Sequence, residues 1–263
     1  MPPTTAYVHG TPSWIDLSST DPAAAQTFYG GLFGWEFVAE PTGDEGEYVM
    51  ASLGGRSVAG MMKQSPDQAA MGLPSLWASY VTVDDVDATA ARVEPAGGSV
   101  MAPPFDVMDA GRMAVIVDPA GAVLCLWEAR AHIGAEVVNE HGALLWNELT
   151  SSDLDASSAF YADIFGWGVE LAEMGPDAPP YTVFTVGDDM IAGGMAPPME
   201  GIPTHWGIYF ATDDCDATVA LAESLGATVL APPMDIPVGR MASLQDPTGA
   251  AFSVMTMAPM ADE

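Results

Sequence analysis

The sequence predicts an α+β protein made of four βαβββ units arranged as two tandem modules. Three observations carry this: an octapeptide written twice, matched blocks that flank it at the same offset, and an order of strand, helix and three strands that recurs inside each copy. FYGGLFGW at 28–35 returns as FYADIFGW at 160–167, an offset of 132 positions (160 minus 28). At that offset His9-Gly10, Trp14, Asp16 and Leu17 return as His141-Gly142, Trp146, Glu148 and Leu149. Further on, LWASYVTVDDVDAT answers HWGIYFATDDCDAT, while APPFD, GRM and DPAGA answer APPMD, GRM and DPTGA. The repeat places one module at 8–128 and the other at 140–257, joined by the linker ARAHIGAEVVN at 129–139.

Each element has a local cause. Ile15 and Leu17 alternate with Trp14, Asp16 and Ser18, the signature of a strand with two different faces. Asp21-Pro22 then supplies an N-cap and a first-turn proline. Ala25, Phe28, Tyr29 and Leu32 form one helical stripe, which Gly34 ends. Short strands are expected at 36–40, 48–53 and 57–62, before KQSPDQAAMGLP makes a connection. The second unit repeats the order: a strand at 77–83, a helix led by Asp85, then strands around Ser99, at 112–117 and at 122–128.

Composition narrows the function classes. Six Lys and Arg stand against 36 Asp and Glu, a formal charge of -30 that repels phosphate backbones and anionic membrane surfaces. Neither nucleic acid nor membrane is therefore an expected partner; the expected state is a monomer or homodimer in the cytoplasm. The start, Met1 to Gly10, has neither a basic segment nor an apolar run of leader type. Cys125 and Cys215 lie in different modules and make no spaced metal or disulfide motif.

These residues carry a family resemblance. The pattern D-x6-F-Y-x3-F-G-W (21–35 and 153–167) and the closing DP-x-G-A strand (118–122 and 246–250) resemble the vicinal oxygen chelate (VOC) superfamily of glyoxalases, bleomycin-resistance proteins and extradiol dioxygenases. The resemblance covers nearly the whole chain. It implies that paired βαβββ units curl into an open cup, one per module, with the helices outside. GTPxWxDL near the start is similar to tandem proteins labelled glyoxalase-like or hydroxylase. In metal-dependent members, the resemblance implies, a His or Gln from a unit's first strand and a carboxylate from its last strand hold a divalent ion. Here those places fall on Trp14 and Trp146, about Ala78 and Gly207, and Cys125 and Ser253, with Gly60 and Gly193 on the remaining strands. These are unsuitable or poor ligands, so neither metal nor other cofactor is expected.

Alternation predicts what lines the cups instead. If Ile15 and Leu17 face the helices, Trp14 and Asp16 face one hollow, and Trp146 and Glu148 the other. Asp16 and Glu148 are the candidate catalytic carboxylates. Arg112 and Arg240, alternating with apolar neighbours in the GRM strands, are expected to share the hollow with them. Tyr48, Tyr80 and Cys125 in the first cup, and Tyr181, Tyr209 and His205 in the second, complete the candidate ligand-binding set. The paired prolines of APPFD and APPMD are expected to stiffen loops at the rims. Aromatic and methionine linings suit a small apolar or aromatic guest. The expected function is metal-independent binding of such a molecule with a hydroxylase-like tailoring step; the alternatives are drug sequestration in the bleomycin-resistance manner and a metal-dependent glyoxalase or dioxygenase.

Overall fold

The structure is a computed structural model that describes residues 4–41, 46–175 and 179–259. Its first half runs β1 (Pro12–Ser19), α1 (Pro22–Phe33), β2 (Glu36–Pro41), β3 (Glu47–Leu53), β4 (Arg56–Lys63), α2 (Pro66–Ala70), β5 (Leu76–Thr82), α3 (Val86–Val93), β6 (Ser99–Val107), β7 (Gly111–Val117) and β8 (Val123–Ala129). The second runs β9 (Leu144–Thr150), α4 (Leu154–Phe165), β10 (Gly168–Ala172), β11 (Tyr181–Val186), β12 (Asp189–Met195), β13 (His205–Ala211), α5 (Cys215–Ser224), β14 (Thr228–Ile236), β15 (Gly239–Gln245) and β16 (Ala251–Met257). Each half makes one curled eight-stranded sheet, ordered β2-β3-β4-β1-β5-β8-β7-β6 and β10-β11-β12-β9-β13-β16-β15-β14. The four units are thus two curled-sheet cups in an α+β chain. No helix among the described residues is long and apolar enough to cross a membrane.

The duplicated helix behaves as its sequence dictates. The Asp21 side chain accepts from the Ala24 amide at 3.1 Å, and Asp153 does the same for Ala156 at 3.1 Å. Gly34 and Gly166 leave their helices in the left-handed region, at φ 72° and 75°.

The two signatures of the repeat meet across the boundary between the halves. Tyr29 of α1 donates from Oη to Asp246 Oδ2 at 3.0 Å, so the tyrosine of one copy uses the DP-x-G-A aspartate of the other. Asp118 stands correspondingly against Tyr161, whose hydroxyl its charge helps keep protonated after burial has done most of that work. Trp35 Nε1 donates to the Gly142 carbonyl at 2.7 Å, and Trp167 Nε1 to the Gly10 carbonyl at 2.7 Å. The cores are shared in the same way. One cluster joins Phe28, Phe33 and Trp35 to Phe210, Val219 and Phe252; its mirror joins Val86 and Leu126 to Phe160, Phe165 and Trp206. The octapeptide is therefore the seam of the molecule.

Two local expectations are corrected. APPFD and APPMD are not rim loops: Pro103, Pro104, Pro232 and Pro233 lie inside β6 and β14, where the register shifts between Ala102 and Phe105 and between Ala231 and Met234. Both are edge strands, and a proline at a bulge on an edge costs no ladder bond. The connection after β4 contains α2, with Ser65 and Gln68 closing a capping box.

Candidate functional site

The concave face of each sheet is built around its first strand. In β1, Ile15 and Leu17 enter the shared core while Trp14 packs with Tyr80, Cys125 and Trp127 in a separate cluster. Asp16 lies on that face too, between Gly60 of the parallel neighbour β4 and Ala78 of the antiparallel neighbour β5. Glu148 has the same surroundings in the second cup, with Gly193 on one flank and Gly207 on the other.

The flanking glycines make room for tyrosines. A methyl group at Gly60 would overlap the Tyr48 hydroxyl, and one at Gly193 the Tyr181 hydroxyl. Each ring leans over its glycine to reach the carboxylate. In the first cup Trp14 Nε1 donates to Tyr48 Oη at 2.9 Å, Tyr48 Oη to Asp16 Oδ2 at 3.4 Å, and Tyr80 Oη to Asp16 Oδ2 at 2.6 Å. In the second, Trp146 Nε1 donates to Tyr181 Oη at 3.0 Å, Tyr181 Oη to Glu148 Oε2 at 2.7 Å, and Tyr209 Oη to Glu148 Oε1 at 2.7 Å. Every oxygen of Glu148 thus accepts one strong bond and keeps lone-pair capacity for a guest. Burial first, and then the Glu148 charge, push the Tyr181 and Tyr209 hydroxyls well above their ordinary values, so both stay donors.

The two cups differ in access. The linker crosses the first: the His132 ring meets Trp14 edge-on at 4.5 Å, its carbonyl accepts from Trp127 Nε1 at 2.9 Å, and Ala135 and Val138 pack into the cluster of Trp14, Tyr80 and Cys125. The Ala135 amide donates to the Ser13 carbonyl at 2.8 Å, and Tyr7 Oη donates to the Ala135 carbonyl at 2.6 Å. Trp14, Asp16 and Tyr80 are consequently buried, while Tyr48 is half-buried. Trp146, Glu148, Tyr181 and Tyr209 are half-buried, and no apolar cluster among the described residues covers them. Met241, Met255 and Ser253 line the second cup where Met113, Trp127 and Cys125 line the first. Nothing in the linker's composition signals that it lies over one hollow only; its apolar Ile133, Val137 and Val138 are the one trace.

Sealing has an electrostatic consequence. Burial pushes the Asp16 carboxyl up to about 6, against the opposing pull of the Tyr80 and Tyr48 hydrogen bonds. The folded state therefore holds a proton that the unfolded chain has lost, so the Asp16 contribution to stability is greatest below about pH 4 and is lost as pH rises through about 6. Roughly two pKa units correspond to about 3 kcal/mol. In Asp16→Asn that decline is removed. Its unfolding free energy relative to the parent should rise by about this amount between pH 4 and 7 in denaturant titrations; parallel curves would contradict the assignment. Cys125, beside Asp16, is pushed far above the usual thiol range, again mainly by burial, which leaves a protonated core thiol.

The arginines are not where alternation placed them. Arg112 shares its face with Ala114 and Ile116, which enter the shared core, whereas Met113 and Val115 line the cup. It pairs with Asp87 at 2.8 Å and Asp106 at 2.9 Å. Arg240 likewise binds Asp216 of α5 and, at 2.9 Å, Asp235. The expectation failed because both faces of these strands are apolar, so alternation does not say which is concave. Arg56, Arg92 and Arg130 are also in surface ion pairs, and no arginine enters either cup. His9 and His141 accept the Asp84 and Asp213 amides at 3.1 and 3.2 Å, at the strand entries. His205 begins β13 and is exposed, with its Nε2 beside Gly207.

Comparison with known proteins fits this architecture. The chain belongs to the Glyoxalase/Bleomycin resistance protein/Dioxygenase superfamily, whose family model matches residues 11–126 and 143–254. It is 48% identical over 261 residues to a putative glyoxylase, CFP32, of Mycobacterium tuberculosis (strain CDC 1551 / Oshkosh), covering 98% of this chain and 99% of that one. It is 38% identical to the anthracycline biosynthesis protein DnrV of Streptomyces peucetius, covering 96% and 95%. Among solved structures, the Mn(II)-bound glyoxalase from Novosphingobium aromaticivorans superposes with a TM-score of 0.62 at 13% identity, over 95% of this chain and 83% of that one. The 2,3-dioxygenase LapB from Pseudomonas sp. KL28 gives 0.64 at 14%, over 98% and 97%. These two share the fold.

Because a protein of the same fold is Mn(II)-bound, the donor groups in the cups can be tested against a divalent ion. Among the described residues no three His, Cys, Asp or Glu converge on one point. The carboxylate of each first strand is bound by phenol hydroxyls, and its flanks are glycine and alanine in one cup and two glycines in the other. This donor set does not fit a protein-held divalent ion, which needs several imidazole, thiolate or carboxylate ligands.

Proposed function

We propose that the protein binds a small, largely apolar aromatic molecule in the second cup, without a metal, with Glu148, Tyr181 and Tyr209 gripping its polar edge. The observation that supports this most is the half-buried chain Trp146–Tyr181–Glu148–Tyr209 set beside Met241 and Met255. An apolar hollow with a few convergent polar groups is the usual form of a small-molecule site, and thioethers adapt to flat guests. Glu148 can accept a hydrogen bond from a guest hydroxyl, or take its proton, while the two phenols hold the carboxylate in place. The naming of a 38% relative for anthracycline biosynthesis supports a polycyclic aromatic guest. Two buried free thiols suit a reducing compartment such as the cytoplasm.

A second reading rests on the charge. A surface at -30 attracts cations, which favours sequestration of a cationic drug through the same cup. Chelator-treated protein incubated with a hydroxyanthraquinone, with and without reduced nicotinamide or flavin, separates the two. Product that disappears in Glu148→Gln supports a hydroxylase-like tailoring step. Tight binding without product supports sequestration, and recovery only on adding a divalent cation would overturn metal independence.

A further inference from the structure

The two halves are each other's control, and around the carboxylate they differ in a coupled way. The first cup has Leu76 and Ala78 on β5; the second has His205 and Gly207 at the matching places on β13. Gly207 is the direct strand partner of Glu148. Its open flank faces the imidazole: a methyl group there would stand 3.8 Å from His205 Nε2 and 3.7 Å from the Glu148 carbonyl. The other end of the ring is fixed. His205 Nδ1 lies 2.8 Å from the Pro203 carbonyl, which can only accept, so Nδ1 carries the hydrogen and the neutral ring presents the Nε2 lone pair. The change from alanine to glycine and from leucine to histidine therefore occurs together, in the cup that is open.

Resting on the assignment of the second cup as the binding site, we propose that His205 is its second polar grip, and that the site selects aromatic diols. Nε2 accepts one guest hydroxyl while Glu148 accepts the other. His205 itself pairs with Thr150, but its ring reaches back to Gly207, which faces Glu148 directly across the gap between the two strands. A guest lying across that gap with hydroxyls at two ends of one ring edge, as in a 1,3-dihydroxy arene, can reach both acceptors. An aromatic with one hydroxyl can satisfy Glu148 or His205, not both.

Isothermal calorimetry with 1,3-dihydroxynaphthalene and with 1-naphthol tests this. The parent protein should bind the diol about tenfold more tightly than the mono-ol, the worth of about one hydrogen bond. His205→Leu, which installs the residue of the first cup at an exposed site, should abolish that preference while leaving 1-naphthol within about twofold. His205→Gln keeps an acceptor and should recover part of the preference. An unchanged preference in His205→Leu, or an equal loss for both probes, overturns the inference while leaving the cup assignment intact, provided Glu148→Gln weakens 1-naphthol. If neither probe binds, or neither responds to Glu148→Gln, the assignment of the cup falls and the role of His205 falls with it.

Discussion

Neither half of this chain should fold alone: residues 1–139 and 140–263 expressed separately are expected to show no cooperative unfolding transition, and mixing them should restore one. Phe28, Phe33, Trp35 and Trp77 of the first half are buried against Ile208, Phe210, Val219 and Phe252 of the second, and a smaller mirror cluster joins the halves in the same way. Burying one such side chain is worth roughly 1.5–3 kcal/mol. Even partial exposure of both seams exceeds the roughly 5–15 kcal/mol that holds a domain together. The polar bonds across the boundary would be lost too, leaving Asp246, Trp35 and Trp167 without their partners. Calorimetry on each fragment checks this, and a sharp transition in either would contradict the shared core.

The second large effect concerns the glycines beneath the tyrosines. Gly193→Ala should fold but lose most of its affinity for an aromatic guest. The new methyl would occupy the place of the Tyr181 hydroxyl and displace that half-buried ring from a carboxylate that is itself only half-buried. Glu148 then loses one donor and Trp146 Nε1 its acceptor. Loss of a charge-assisted bond, at about 1.5–3 kcal/mol, predicts an affinity at least tenfold lower. Gly60→Ala should act on stability instead, because the Asp16 carboxylate to which Tyr48 donates is buried and displacing the ring strands a polar group. A cost of about 2–4 kcal/mol with binding unchanged is expected. The contrast between the two variants is the signature of one working cup and one sealed cup. Equal effects of both on binding would contradict it.

Much of this was legible in the sequence because the duplication repeats every local rule. The capping aspartates, the stop glycines and the alternation of β1 and β9 were each written twice, so Trp14, Asp16, Trp146 and Glu148 could be assigned to concave faces from parity alone. The two Tyr–carboxylate clusters were legible only as membership, since the reach of Tyr48 and Tyr181 over Gly60 and Gly193 depends on sheet register. Parity misled for Arg112 and Arg240, where a greasy cup and a greasy core gave strands with no polar face to mark the outside. Nor could it show the linker over the first cup. That segment has no period, and its hold on Ser13 and Trp127 is made largely by backbone atoms, which sequence does not distinguish.

The most direct measurement is a calorimetric titration of chelator-treated protein with 1,3-dihydroxynaphthalene, repeated on Glu148→Gln and Asp16→Asn. One guest per chain is predicted, with affinity about tenfold weaker in Glu148→Gln and unchanged in Asp16→Asn. Two equal sites per chain, or binding that returns only with an added divalent metal, would contradict a single open, metal-free cup built on Glu148.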